Sequence, residues 1–436
     1  MSDLPHPQLV RTIGRWTLTA LVLTNIIGSG IFGLPSAIAG FLGPAAPLVY
    51  ILGAIGIGVI MAVFAEVSSQ YHESGGQYLY ARDVFGPFTG VQIGWFFLLV
   101  RITSGAAVIN LFVNYLAEFW PAATAPLPRA AVMAALVAGL AVVNYRGVRA
   151  GASVSNFFTV AKLTSLGLFV VAGLLLVKHS VPPALAVPAT AGTWTDALVA
   201  MVFAFGGFES ALIPAAEVKD PRRDTIFALS VALAVVAVFY LLIHLVAMWG
   251  VPDLAHSDRP LADAARAFAG PKGAAAMAFA AMLSAYGWLS GNFVAVPRLI
   301  YAMGERRDFP QVTAVVHPRF RTPHVAILIW AVLVLALSIY GSFLWNAILA
   351  SVARLVTYGV TCAALIQLRR REPHANAWRA PAGNLLAVLG IAFCVFLAFR
   401  MTATHALIMS AVVVVATVNW LVVRVCPRVQ PIAPTL

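Results

Sequence analysis

Charge is what this chain has least of. Only 10% of its 436 residues are charged, and Asp and Glu together number 16. A soluble domain carries about a quarter of its residues charged. At 61% hydrophobic residues and a mean hydropathy of +0.90, a soluble globular protein is excluded. Cysteine is nearly absent as well. Cys362, Cys394 and Cys426 lie in or at the end of apolar runs and give neither a metal spacing nor a disulfide framework. His244 is the notable histidine inside an apolar run, and it forms no metal pair. No Ser/His/Asp set or paired carboxylates suggest catalysis, so no enzyme, cofactor or metal is expected. The start of the chain lacks a short apolar segment ending in a small-residue cleavage site, so its first apolar run is expected to be retained. The net charge of +12 does not imply nucleic acid, which needs basic residues clustered on a soluble module. Here the excess is spread over short loops.

What fills the chain instead is long apolar runs, and they predict an all-α protein of the lipid bilayer. Twelve transmembrane helices are expected, at about 13–40, 44–70, 83–118, 129–145, 154–177, 193–217, 226–250, 273–303, 323–341, 343–367, 384–400 and 404–424. Of the 28 Lys and Arg, four (Arg101, Lys162, Arg298, Arg354) fall within spans. Six (Arg129, Lys178, Arg259, Arg266, Lys272, Arg400) fall in one set of loops and the other 18 in the opposite set. The positive-inside bias then places both termini in the cytoplasm. The Ala-, Val- and Arg-rich usage fits a bacterial inner membrane. Two connectors look structured: 71–85 as a short interfacial segment, and 258–268 as an external amphipathic helix that could act as a lid.

Two spans are interrupted. Gly28-Ser29-Gly30 stands in the middle of the first, where glycine disfavours helix by about 1 kcal/mol per residue relative to alanine. Phe205-Gly206-Gly207-Phe208, followed by Glu209, interrupts the sixth. Loosened backbone survives in a bilayer only where it lines a buried, wet cavity. Matched interrupted spans in two half-chains point to a transporter's binding site. An odd number of spans per half inverts the second copy, giving a five-plus-five inverted repeat over 13–178 and 193–367. Spans at 384–424 are then an appended pair, flanked by cytoplasmic tails at 1–12 and 425–436.

The breaks supply most of the binding capacity. Past the first, the helix is expected to resume at Ile31-Phe32, with its positive dipole end toward a substrate carboxylate. The carbonyls of Asn25 to Ile27 and of Phe203 to Phe205 are expected to face a cation or a substrate ammonium. The alternative is that these glycines only let helices pack closely. Glu209, at membrane depth, is a functional candidate whose protonation could couple to transport. A structural ion pair or a helix-start acid is its bland alternative. Lys162, mid-span, could replace a bound sodium ion on the broken-span carbonyls and exchange a proton each cycle; otherwise it snorkels. Arg101, mid-span, needs a partner, and the candidates are Glu209, Glu66 and an acidic group on the substrate. Arg298 and Arg354 suit structural or gating pairings. Phe32, Phe203, Phe205, Phe208 and Trp288 are candidates to enclose a side chain or gate the cavity, with Phe205 and Phe208 placed first for their adjacency to the break.

Four stretches taken together resemble the amino acid–polyamine–organocation (APC) superfamily. They are NIIGSGIFGLP, AEVSSQYHESGGQYLYARDVFGP, FAFGGFESALIPAAEVKDPRRD and SGNFVAVPRLIYAMGERRDFP, in order along the whole chain. The resemblance implies a LeuT-like fold with broken helices 1 and 6, and alternating-access transport of amino acids or related amines by proton symport or exchange. It further implies that Ile27, Gly28, Ser29 and Gly30 hold the substrate's carboxylate and amino group, with Phe203, Phe205 and Gly206 contributing from the second break. Glu209 matches a glutamate implicated in proton-linked gating in the arginine–agmatine antiporters. Lys162 matches the lysine that stands in for sodium in sodium-independent members. Arg101 departs from the antiporters' small uncharged residues, and Phe203 from their tryptophan. A cationic cargo would meet Arg101, which favours neutral or acidic amino acids over amines. An amine or polyamine carrier is the alternative within transport, and a membrane nutrient sensor the alternative outside it.

Overall fold

The computed structural model describes residues 13–71, 75–147, 152–177, 189–213, 218–371 and 378–425. The expected tails, and the sixth span beyond 213, lie outside the described residues. Among those described the chain is helix and loop, without strands. The first interrupted run forms α1 (Arg15–Ile26) and α2 (Gly30–Leu42), and α3 (Ala46–Ser69) follows a short 3-10 turn. α4 (Gly76–Phe85) is a short helix within the connector expected to be structured. Gly86, at φ 91°, turns the chain from it into α5 (Pro87–Leu116), whose proline starts a helix without losing a needed N–H. α6 (Pro126–Tyr145) and α7 (Ala152–Leu176) complete the first half.

The second half opens with α8 (Ala191–Phe205), started by a reciprocal Thr190–Thr193 capping box. A single four-residue turn, α9 (Phe208–Ala211), lies across the second break. Asp220 caps α10 (Pro221–Gly250), accepting from the Arg223 N–H at 3.3 Å. α11 (Pro260–Glu305), α12 (His324–Tyr340), α13 (Phe343–Leu368), α14 (Gly383–Ala398) and α15 (Ala403–Val425) follow. The helix expected at 258–268 is present as the first segment of α11, beginning at Pro260 and cut off from the rest by non-helical Gly270 (φ 67°, ψ −166°), with Leu261, Ala262, Ala264 and Ala265 buried.

Among the described residues, nine helical stretches are long and apolar enough to cross a membrane, one of them running through α2 and α3. Two further apolar helices, α12 and α14, are shorter. The protein is therefore an integral, multi-pass membrane protein of the all-helical class. Of the apolar stretch of α5, 83% is buried inside the protein, against 17% for α15. α5 is the central post, and α15 faces outward.

Two apolar clusters meet along that post. The larger draws on α1, α2, α3, α8, α10 and α13. The smaller draws on α6, α12, the second half of α11 and the other face of α5. Lipid tails give no hydrophobic drive between helices, so close backbone approach has to supply the packing. The run Thr103-Ser104-Gly105-Ala106-Ala107 on α5 permits it and is buried throughout. One more junction ties distant elements together. Glu66, in the last turn of α3, accepts two hydrogen bonds from Arg369 (2.7 and 2.8 Å) and one from the Ala380 N–H (2.9 Å). Beside it, Ser69 Oγ accepts from the Trp378 N–H at 3.0 Å.

Candidate binding site

The first break is real and slightly displaced. Ile27 leaves helical space (φ −69°, ψ 84°), and helix resumes at Gly30 rather than at Ile31. A short segment at mid-bundle thus exposes the carbonyl end of α1 and the N–H end of α2. The cation at the carbonyl end is a side chain of the protein, the Lys162 ammonium. Lys162 Nζ donates to the Thr24 carbonyl (3.1 Å) and to that of Ile27. Tyr240 donates its hydroxyl to the Ile26 carbonyl at 2.9 Å.

The second break is two glycines long. Phe205 ends α8, Gly206 is extended (φ −70°, ψ 160°), and Gly207 is left-handed (φ 113°, ψ −25°). A side chain at Gly207 would be strained by its φ and would also collide with the Asn25 carbonyl. On the other side, a Cβ at Gly30 would stand 3.2 Å from the Ala204 Cα. The two breaks therefore touch backbone to backbone. No side chain separates them.

Glu209 lies in the single turn of α9, and its carboxylate is fully engaged. Arg354 Nε donates to one oxygen at 3.3 Å. The Gly207 N–H (2.8 Å) and the Tyr358 hydroxyl (3.1 Å) donate to the other. Both partners of the ion pair are buried. Removing one partner of such a pair typically destabilises by about 3–5 kcal/mol. The geometry is thus the ion pair and helix-start acid together, and Arg354 also lies 5.7 Å from the centre of the Phe203 ring.

A cavity of about 760 Å³ opens beside the breaks. Gly28, Ser29, Gly30, Arg101, Lys162, Phe203 and Gly206 line it, with Trp288, Arg298 and Arg354. Arg101 is buried, donates to Ser210 Oγ, and lies over the Phe97 ring with its guanidinium carbon 4.7 Å from the ring centre. Other expected residues are turned away from the wall. Ile27 faces Lys162. Phe205 packs on Tyr240 (5.6 Å), Phe208 on Phe64 (5.2 Å) and Phe32 on Tyr115 (6.2 Å). The preference for Phe205 and Phe208 is thereby corrected in favour of Phe203, because residues two apart on a helix do not share a face.

Sequence reasoning missed Phe97, Ser104, Phe158 and Ser210 in the wall, and Tyr240 and Tyr358 behind it. Ser104 follows Arg101 by one helical turn, and Ser210 adjoins Glu209, so both carried a local signal. The two tyrosines carried none. His244, singled out in the sequence, packs away from the site and shares a 3.2 Å hydrogen bond with the Tyr50 hydroxyl. Among the described residues, no group of three His, Cys, Asp or Glu could hold a metal.

Comparison with known proteins agrees in extent with this architecture. The family model described as "Amino acid permease" matches residues 13–423. An uncharacterized transporter of Mycobacterium tuberculosis (strain ATCC 25618 / H37Rv) is 28% identical over 98% of this chain and 94% of its own length. The serine/threonine exchanger SteT of Bacillus subtilis (strain 168) is 27% identical over 73% of this chain and 74% of its own. A putative arginine/ornithine antiporter of the same organism is 29% identical over 72% of this chain and 74% of its own.

Proposed function

This chain belongs to the amino acid permease family of the APC superfamily, and from that premise we propose that it is a sodium-independent secondary transporter of amino acids. It works by alternating access, coupled to protons or to exchange. The observation that carries the reading is the Lys162 ammonium on the Thr24 and Ile27 carbonyls. A fixed cation there removes the need for a bound sodium ion. The substrate's carboxylate sits at the N-terminus of α2, against Gly28, Ser29 and Gly30. Its ammonium faces the carbonyl end of α8 at Phe203 to Phe205. Glu209 and Lys162 are the groups through which a proton gradient acts.

The architecture assigned with this function is twelve spans in a five-plus-five inverted repeat, 13–178 and 193–367, with 384–424 appended. The cell (inner) membrane is its location, and both tails face the cytoplasm. The cavity wall draws on the first half of α7 and the second half of α11, both on the side where α1 begins. On the far side, Phe203 packs edge-on against Phe343 (6.1 Å), and the start of α11 lies against Tyr115 and Glu118. Such an arrangement suits one access state of a two-state carrier. An amine or polyamine cargo fits less well, because no Asp or Glu is among the described residues of the wall.

Reconstitution into liposomes with a panel of labelled amino acids tests the proposal. Uptake is expected without sodium and should respond to a pH gradient or to amino acid on the opposite side. Absolute dependence on sodium overturns the assignment to Lys162. Failure of every amino acid to cross overturns transport and favours a sensor.

A further inference from the structure

Among the described residues Arg101 forms no ion pair with a carboxylate, and the one acidic charge that reaches it, that of Glu209, is shared with Arg354. Among the described residues the other buried pairings are closed. Glu209 is spent on Arg354, Tyr358 and Gly207, and Glu66 on Arg369 and Ala380. Of the partners foreseen for Arg101, Glu66 is thereby removed, while Glu209 acts on it only through space, with its hydrogen bonds spent elsewhere. What touches its guanidinium is a neutral hydroxyl and an aromatic face, Ser210 and Phe97, so that two buried guanidiniums, Arg101 and Arg354, share the single charge of Glu209. An arginine at membrane depth almost always has a counter-charge.

Two further buried donors of the cavity wall are also without partners among the described residues. They are Ser104 Oγ, one turn along α5 from Arg101, and Nη1 of Arg354. Buried polar groups left unpaired are rare, and each calls for an explanation. The described residues of the wall include Arg101, Lys162, Arg298 and Arg354 and no Asp or Glu. Lys162 is satisfied by peptide oxygens, and Arg298 is exposed and donates to the Val294 carbonyl. A neutral amino acid brings one carboxylate, which the N-terminus of α2 receives. It would leave the Arg101 side of the cavity uncompensated.

We infer that the cargo is an amino acid with an anionic side chain, and that Arg101 receives the side-chain anion with Ser104 and the free Nη1 of Arg354 beside it. This inference rests on the transport reading above. Ser210 and Phe97 hold the guanidinium in place from behind, so the fork is oriented before the cargo arrives. A planar guanidinium pairs a carboxylate through two parallel hydrogen bonds, which gives geometric as well as electrostatic selection. A cationic side chain would meet like charge in the same place.

The test uses the full-length protein in liposomes with labelled glutamate, serine and arginine as probes. Wild type is expected to take up glutamate in preference to serine and to exclude arginine. Arg101→Gln should lower the glutamate-to-serine ratio of kcat/KM by about 10- to 100-fold, the loss of one charge-assisted pairing. A second measurement covers the case in which that variant does not fold: glutamate should raise the thermal unfolding temperature of detergent-solubilised wild type more than serine does. Preference of the wild type for serine or arginine overturns the inference while leaving transport intact. So does an unchanged ratio in a folded Arg101→Gln. Movement of no amino acid by wild type overturns the transport reading itself, and this inference with it.

Discussion

Replacing Lys162 by alanine removes two donors from the first break at once. The Thr24 and Ile27 carbonyls lose their charged partner, and neutral cavity water is the only replacement on that side. A hydrogen bond from a charged group contributes about 1.5–3 kcal/mol, so the pair amounts to about 3–6 kcal/mol. At 1.4 kcal/mol per tenfold, that is a shift of roughly 10²- to 10⁴-fold between conformations that do and do not make these bonds. Lys162→Met should behave alike, because it restores volume without charge. Initial rates of uptake into liposomes should fall by at least about two orders of magnitude in both variants. A cysteine placed at Ser290, in the cavity wall, should change its accessibility to an impermeant thiol reagent. Sodium added to Lys162→Ala should recover part of the activity by occupying the vacated oxygens. Wild-type uptake together with unchanged thiol accessibility in both variants would refute the reasoning.

Two other perturbations act on the second break. Glu209→Gln should lower stability by about 3–5 kcal/mol by leaving Arg354 buried without its counter-charge, and the double variant with Arg354→Gln should recover much of the loss. Thermal unfolding in detergent measures that cycle, and uptake against pH measures whether the carboxylate carries coupling; an unaltered pH profile rejects the coupling role. Gly207→Ala forces a left-handed residue and drives a methyl group into the Asn25 carbonyl, a strain of about 1–3 kcal/mol before any clash is relieved. Its folded yield and transport should both fall, and a variant as stable as wild type would mean that the two breaks do not need to touch.

The sequence carried the bundle well because helix-breaking glycines in apolar runs have few uses in a bilayer. Gly28 to Gly30 and Gly206-Gly207 could be read as interruptions without knowing any partner. Their juxtaposition could not, since it depends on how two distant helices pack. The same division runs through the site. Lys162 and Arg101 announced themselves as charges within apolar runs, but only coordinates distinguish a lysine satisfied by peptide oxygens from an arginine left facing a cavity. Tyr240 and Tyr358 were invisible because a tyrosine in an apolar run is ordinary until its hydroxyl is found against a carbonyl or a carboxylate. Phe205 and Phe208 show the opposite failure. Nearness along the chain was taken for nearness in space, and helical rotation turned both rings into the packing.

The junction at Glu66 has a consequence for the far end of the chain. One carboxylate there moors three elements: the close of α3, the close of α13, and the approach to α14 at Ala380, with Trp378 tied alongside. The leading end of α14 is thus fixed to the closing turns of α3 and α13, the same two helices it packs along. A displacement of α3 relative to α13 therefore has to break this carboxylate's bonds or carry α14 with it.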